Sequence, residues 1–178
     1  MSSLSFHPFL FVAIFFVNVT LVPAGKAQYE PSPPPPKNYF NDFAHIVQPT
    51  TANELDIQLA QFDRDTTNQV TVVIYPHMIR DMSVDSYTLR LFNLWGVGQK
   101  GRNNGVALFL FLEERKLRIQ AGFGLQKALP NGLCKQIIDE RIVPFLRKGN
   151  FDDGLRSGVT ALILAVQSGP KSVKGISP

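Results

Sequence analysis

Cysteine is almost missing from this chain: Cys134 is its single thiol, so no disulfide can close within one molecule. Histidine is scarce too, and the three that occur stand apart in sequence, with no H-E-x-x-H helix to hold zinc. No C-x-x-C pair, nucleophile elbow or phosphate-binding P-loop occurs, which removes the commonest dithiol, serine-hydrolase and nucleotide signatures. No organic cofactor is expected, because a lone G-x-G at Gly122–Gly124 serves equally as an anion loop or as a bend leaving an edge strand. Charge is sparse as well: 18% of residues are charged, the net is +4, and lysines and arginines are scattered without interleaved aromatics. That spread argues against a nucleic-acid partner.

Long apolar runs are lacking except at the front. Pro8 to Pro23 is rich in Phe, Leu, Val, Ile and Ala, and small residues around Ala24, Gly25 and Ala27 follow it. This is the order of a secretory signal, so residues 1–27 are expected to direct export to a periplasmic or extracellular location. No lysine or arginine precedes the apolar core, which keeps open an uncleaved segment serving as a membrane tether. A chloroplast transit peptide would be longer and richer in Ser and Arg. Residues 28–37 form a proline-rich spacer, read as a stiff polyproline II rod or, alternatively, as a docking motif for a proline-binding module. One domain is expected over residues 38–168, followed by a flexible tail at 169–178.

What is present is a dense pattern in the second half. Gly105 to Leu112 reads as a strand buried on both faces, and Leu117 to Ala121 alternates apolar and polar. The short charged connector Glu113–Lys116 joins them as an antiparallel hairpin. Upstream, Thr51–Glu54 has capping-box spacing before a helix with Leu55, Leu59 and Phe62 inward, ending near Asp63 to Thr66. Asp42 to Val47 is a short segment ahead of it. Val70 to Tyr75 is the next buried strand, and Ser83 caps a second helix with Val84, Tyr87, Leu91 and Trp95 on one face. A right-handed crossover then places Val70–Tyr75 parallel to Gly105–Leu112. A third helix starts near Pro130 and reaches Ile142, with a break near Pro144; a last one spans about Phe151 to Gln167. Cys134 falls at helical spacing with Ile137, Ile138 and Ile142, where core packing is the simpler role than a reactive nucleophile. The sum is an α/β fold: a small three-layer α/β/α sandwich on a mixed sheet, Rossmann-like in its crossover.

The topology gathers polar residues at one end. The C-terminus of the first helix, with Asp63 and Asp65, is expected beside Asn103, Asn104, Gly122 and Gly124. Carboxylates at a helix C-terminus oppose its dipole and need either solvent or a cation, and Asp and Asn oxygens suit a hard ion such as Ca2+ or Mg2+. Asp152 and Asp153, after Asn150, suit the N-terminal charges of the last helix.

Several motifs stand in a recognisable order: W-G-x-G-x-K at Trp95–Lys100, N-N-G-V-A-L-F at Asn103–Phe109, R-K-L-R-I-x-x-G-F-G-L at Arg115–Leu125, and I-I-D-E-R-I-V-P-F-L-R-K-G-N-F-D-D-G-L from Ile137 to Leu155. Together they resemble the TPM domain family over about Asn38 to Val166. That family includes thylakoid-lumen acid phosphatases, a photosystem II accessory protein, a receptor auxiliary subunit and many exported bacterial proteins. The resemblance implies a partner-binding or assembly and maintenance factor at the cell envelope, acting on a membrane protein complex. Its alternative implication is a metal-dependent acid phosphatase acting on phosphomonoesters. It makes Asp42, in N-D-F-A, and the Asn103–Asn104–Gly105 loop the matching site positions. With Asp63, Asp65 and Asn131 these form the candidate metal-ligand set. Where the family usually carries two acidic residues, this chain has Gln126 and Asn131, which lowers the charge available to bind Ca2+ or Mg2+.

Overall fold

The structure is a computed structural model and describes Pro33, residues 35–78 and residues 82–169. The expected export segment, most of the spacer and residues 170–178 lie outside the described residues. The elements in chain order are β1 (Phe40–Asp42), α1 (Pro49–Thr66), β2 (Gln69–Tyr75), α2 (Val84–Trp95), β3 (Gly105–Phe111), β4 (Lys116–Ala121), α3 (Asn131–Ile137), α4 (Val143–Leu146) and α5 (Phe151–Ser168). A 3-10 turn at Phe123–Leu125 precedes α3, and a π-helical turn at Ile138–Ile142 joins α3 to α4.

The strands form one sheet in the order β1-β2-β3-β4. β2 and β3 are parallel, with Gln69 opposite Gly105 and Tyr75 opposite Phe111, as the crossover rule requires. β3 and β4 form the expected antiparallel hairpin. Alternation along the strands then builds two apolar faces. Val70, Val72, Ile74, Val106, Leu108, Leu110 and Ile119 face the layer of α1, α3 and α5. Val73, Ala107, Phe109 and Phe111 face α2 with Tyr87, Leu91 and Phe92. Nearly all are fully buried, and each large side chain contributes about 1.5–3 kcal/mol relative to exposure. Three layers and a mixed sheet result, as the sequence pattern predicts.

Two local expectations, the capping box and the place of Pro130, are corrected, and two others take a specific form. The segment at Asp42–Val47 begins as an edge strand, β1, parallel to β2 with Phe40 opposite Val72 and Asp42 opposite Ile74. Its outward Phe40 N–H donates to Asp56 Oδ1 of α1 at 2.8 Å. The capping box at Thr51–Glu54 is not used: α1 begins at Pro49 with Gln48 as its N-cap, and Gln48 provides no side-chain cap. Thr51 and Glu54 instead hold Arg156 of α5, whose Nη2 donates to Thr51 Oγ1 at 2.9 Å and whose Nη1 pairs with Glu54. Pro130 is the N-cap of α3 rather than a residue within it. Ahead of Pro144, which has no N–H to give, the helix widens into the π turn before α4 resumes. Ser83 does cap α2, its Oγ accepting from Ser86 N at 3.1 Å.

Candidate functional site

At the amino end of the parallel strands, the loops before β3 and after β4 meet. Asn104 is buried, its Oδ1 accepting from Gln99 N at 2.8 Å and its Nδ2 donating to Thr67 O. Gly98 N donates to Gln69 Oε1, and Arg102 Nη1 donates to Thr67 Oγ1 at 2.8 Å. Gly124 N donates to Asn103 O at 3.0 Å, so the two loops lie together as the hairpin geometry requires. Glycine is needed here for approach rather than for a left-handed backbone. A Cβ on Gly105 would sit 2.2 Å from Val97 O, and one on Gly122 would sit 2.2 Å from Asn103 O. The positive φ belongs to Asn103, at 50°, not to Gly105.

The candidate metal ligands do not converge at this end. Asp42 stands opposite Ile74 and Asn104 precedes Gly105, which is opposite Gln69, so the two are separated along the sheet by about 20 Å. The carboxylate of Asp42 clamps its own loop, Oδ1 accepting from Ala44 N at 3.1 Å and Oδ2 from Ile46 N at 2.9 Å and Val47 N at 2.8 Å. Asp63 and Asp65 are at the expected end, but Asp63 Oδ2 accepts from Tyr39 Oη at 2.6 Å and Asp65 Oδ1 accepts from Gln61 Nε2 at 2.6 Å. Asn103 and Asn131 are exposed, Asn131 as the first residue of α3. A hard cation asks for six or more oxygens converging on one point. Asp42 stands at the other end of the sheet from the rest of the set, and Asp63, Asp65 and Asn104 already hold hydrogen bonds within the chain, so the six do not meet at one point.

At the carboxyl end the structure opens a cleft of about 850 Å³ that the sequence reading missed. Leu110 and Leu112 leave β3, Leu117 enters β4, and Val143, Leu146 and Phe151 come from α4 and the start of α5. Glu113, Arg115, Asp139 and Arg147 ring this apolar floor with both signs of charge. The sequence signal was there in the apolar residues flanking the charged turn, but nothing in the pattern shows that the helical layer stops short of them. On the opposite face of the sheet at this end, Phe43 is partly exposed and stacks on Tyr75 at 5.1 Å, and Tyr75 stacks on Phe111 at 6.1 Å. The Tyr75 hydroxyl is buried without a hydrogen-bond partner, and burial raises its pKa, so it remains a protonated phenol. Cys134 is likewise raised to about 11 by burial, and its Sγ contacts Leu129 O at 3.6 Å; it is a core thiol.

The fold and its glycine-knit loop end define an α/β sandwich with a mixed four-stranded sheet. The TPM domain model matches residues 40–165. The chain belongs to the TPM domain family. Among solved structures it is similar to the N-terminal domain of a protein from P. gingivalis, 32% identical, covering 74% of this chain and 83% of that one with a TM-score of 0.67. The BA42 protein from Bizionia argentinensis shares the fold at 14% identity and a TM-score of 0.59, covering 76% of this chain and 92% of that one. The N-terminal domain of cg2496 from Corynebacterium glutamicum does so at 17% and 0.54, covering 82% and 88%. No curated protein sequence matches the chain. No helix among the described residues is long and apolar enough to cross a membrane.

Proposed function

We propose that this chain is an exported TPM-domain protein that binds a protein partner at the cell envelope, seating an apolar segment of that partner in the cleft between the β3–β4 turn and α4–α5. The observation that carries this reading is the cleft itself. Its floor is apolar, its rim carries charges of both signs, and it lies beyond the carboxyl ends of the parallel strands, where open α/β sheets hold their ligands. Aliphatic and aromatic anchors supply affinity at such surfaces, and the charged rim supplies orientation. Asp42, Asp63 and Asn104 are each engaged in hydrogen bonds within the chain, at two ends of the sheet.

A photo-crosslinking residue at Leu112, compared with one at exposed Gln58 on α1, tests the reading in the native envelope. A discrete adduct from position 112 that is lost with Leu117→Asp, and is absent from position 58, supports it. Identical patterns from both positions, or none, overturn it. Hydrolysis of a generic phosphomonoester that rises with calcium or magnesium and falls in chelator would put the metal-dependent acid phosphatase in its place.

A further inference from the structure

Trp95 is the only tryptophan in the chain, and its indole is occupied from an unexpected direction. Nε1 donates to the carbonyl of Pro33 at 3.3 Å, while the ring packs on Phe109 with centroids 5.7 Å apart. Pro35, Pro36 and Tyr39 line a groove of about 240 Å³ with Trp95 and Val97. These are the elements by which polyproline is recognised. A polyproline II segment makes no internal hydrogen bonds, so its carbonyls stand free for a donor, and aromatic grooves grip its rings.

The approach to the groove is fixed by a buried side chain. Asn41 Oδ1 accepts from Lys37 N and Asn38 N, both at 3.2 Å, and its Nδ2 donates to Asn38 O at 2.6 Å. This elbow turns the chain out of β1 and points the prolines at Trp95. Pro33 is only a few positions before Asn38 in sequence, so the effective concentration of the segment at the groove is very high.

We propose that the surface around Trp95 at the end of α2 is a polyproline-binding site whose resident is the chain's own Pro33, Pro35 and Pro36, with Pro35 and Pro36 forming one wall of the groove. Pro33, Pro35 and Pro36 are then a strap on the domain rather than part of a free spacer. This inference is independent of the partner cleft, which lies on the other face of the sheet.

The single tryptophan reports on it directly. In the full chain, replacing Pro33, Pro35 and Pro36 together by glycine should shift Trp95 emission to the red and raise its acrylamide quenching, with far-UV circular dichroism unchanged. Adding the peptide Pro-Ser-Pro-Pro-Pro-Pro-Lys to that variant should reverse both changes, and a Gly/Ser peptide of equal length should not. Unchanged emission and quenching in the folded triple variant overturns the site. Should the triple variant unfold, Pro33→Gly alone carries the same two readouts. Wild-type emission that shifts on dilution would show that a second copy, not the same chain, fills the groove, and would overturn the strap.

Discussion

Gly105→Ala separates close packing from backbone conformation as the reason for glycine at the loop end. The new methyl carbon would meet three main-chain atoms, Val97 O at 2.2 Å, Val97 C at 2.4 Å and Gly98 N at 2.7 Å. Contacts of this kind are comfortable near 3.5 Å, so the Val97–Gly98 turn must retreat by about 1 Å or more. That turn is held by Gly98 N on Gln69 Oε1, and its neighbour by Gln99 N on Asn104 Oδ1. Overpacking contributes a loss of about 1–3 kcal/mol, and each hydrogen bond strained open adds about 1 kcal/mol. The expected loss is about 3 kcal/mol, a fall in Tm on the order of 10 °C for a domain of this size. Gly101→Ala is the control: Gly101 has φ +85° with nothing within 4 Å of an added Cβ, so only the left-handed penalty of about 1 kcal/mol applies. Urea denaturation followed by circular dichroism measures both. A Gly101 variant that loses as much as the Gly105 variant, or a Gly105 variant with the wild-type midpoint, refutes the steric account.

Asp42→Ala should destabilise by about 2–3 kcal/mol, because three loop amides lose a carboxylate acceptor; a wild-type urea midpoint would return Asp42 to the list of free ligands. Cys134, buried with its pKa raised to about 11, should resist a thiol reagent at pH 8 until the chain is unfolded in urea; modification of the native protein at the rate of a free thiol contradicts its core placement. Tyr39 is raised from 10.0 to about 12, first by its hydrogen bond to Asp63 and then by burial. The protonated phenol therefore favours the folded state, a contribution complete below pH 10 and lost as pH climbs from 10 to 12. The difference in stability between wild type and Tyr39→Phe should shrink across that window, Cys134 being common to both; a difference independent of pH contradicts the Tyr39–Asp63 bond.

Where the sequence spoke clearly, it did so through runs long enough to show a period. Val70–Tyr75, Gly105–Leu112 and the charged Glu113–Lys116 turn gave strands, direction and hairpin because each is constrained by its neighbours in sequence. β1 spans only Phe40–Asp42, too short for alternation to register, and its parallel pairing with β2 is a tertiary choice. That one strand decides the candidate metal set, since its register carries Asp42 to the far end of the sheet. Thr51 and Glu54 misled for a related reason: their spacing fits a local cap, but their partner Arg156 is 105 residues from Thr51. The N-N-G and G-F-G loops were rightly placed together, while the purpose of their glycines could not be read, because the atoms that crowd them come from Val97 and Asn103 across a turn. The cleft was invisible for the same reason that it exists: α4 is only four residues long, and nothing in its sequence says how much of Leu112 and Leu117 it leaves uncovered.

The carboxylate of Asp56 on the outer amide of Phe40 has a consequence for how copies of this protein meet one another. A bare strand at the margin of a sheet is a template on which a second chain can zip, and fibres begin that way. Here the margin is three residues long, and its Phe40 donor is already taken by a charged side chain anchored on α1. An incoming strand would have to evict a carboxylate to gain its first bond at Phe40, which disfavours pairing between copies through the β1 edge.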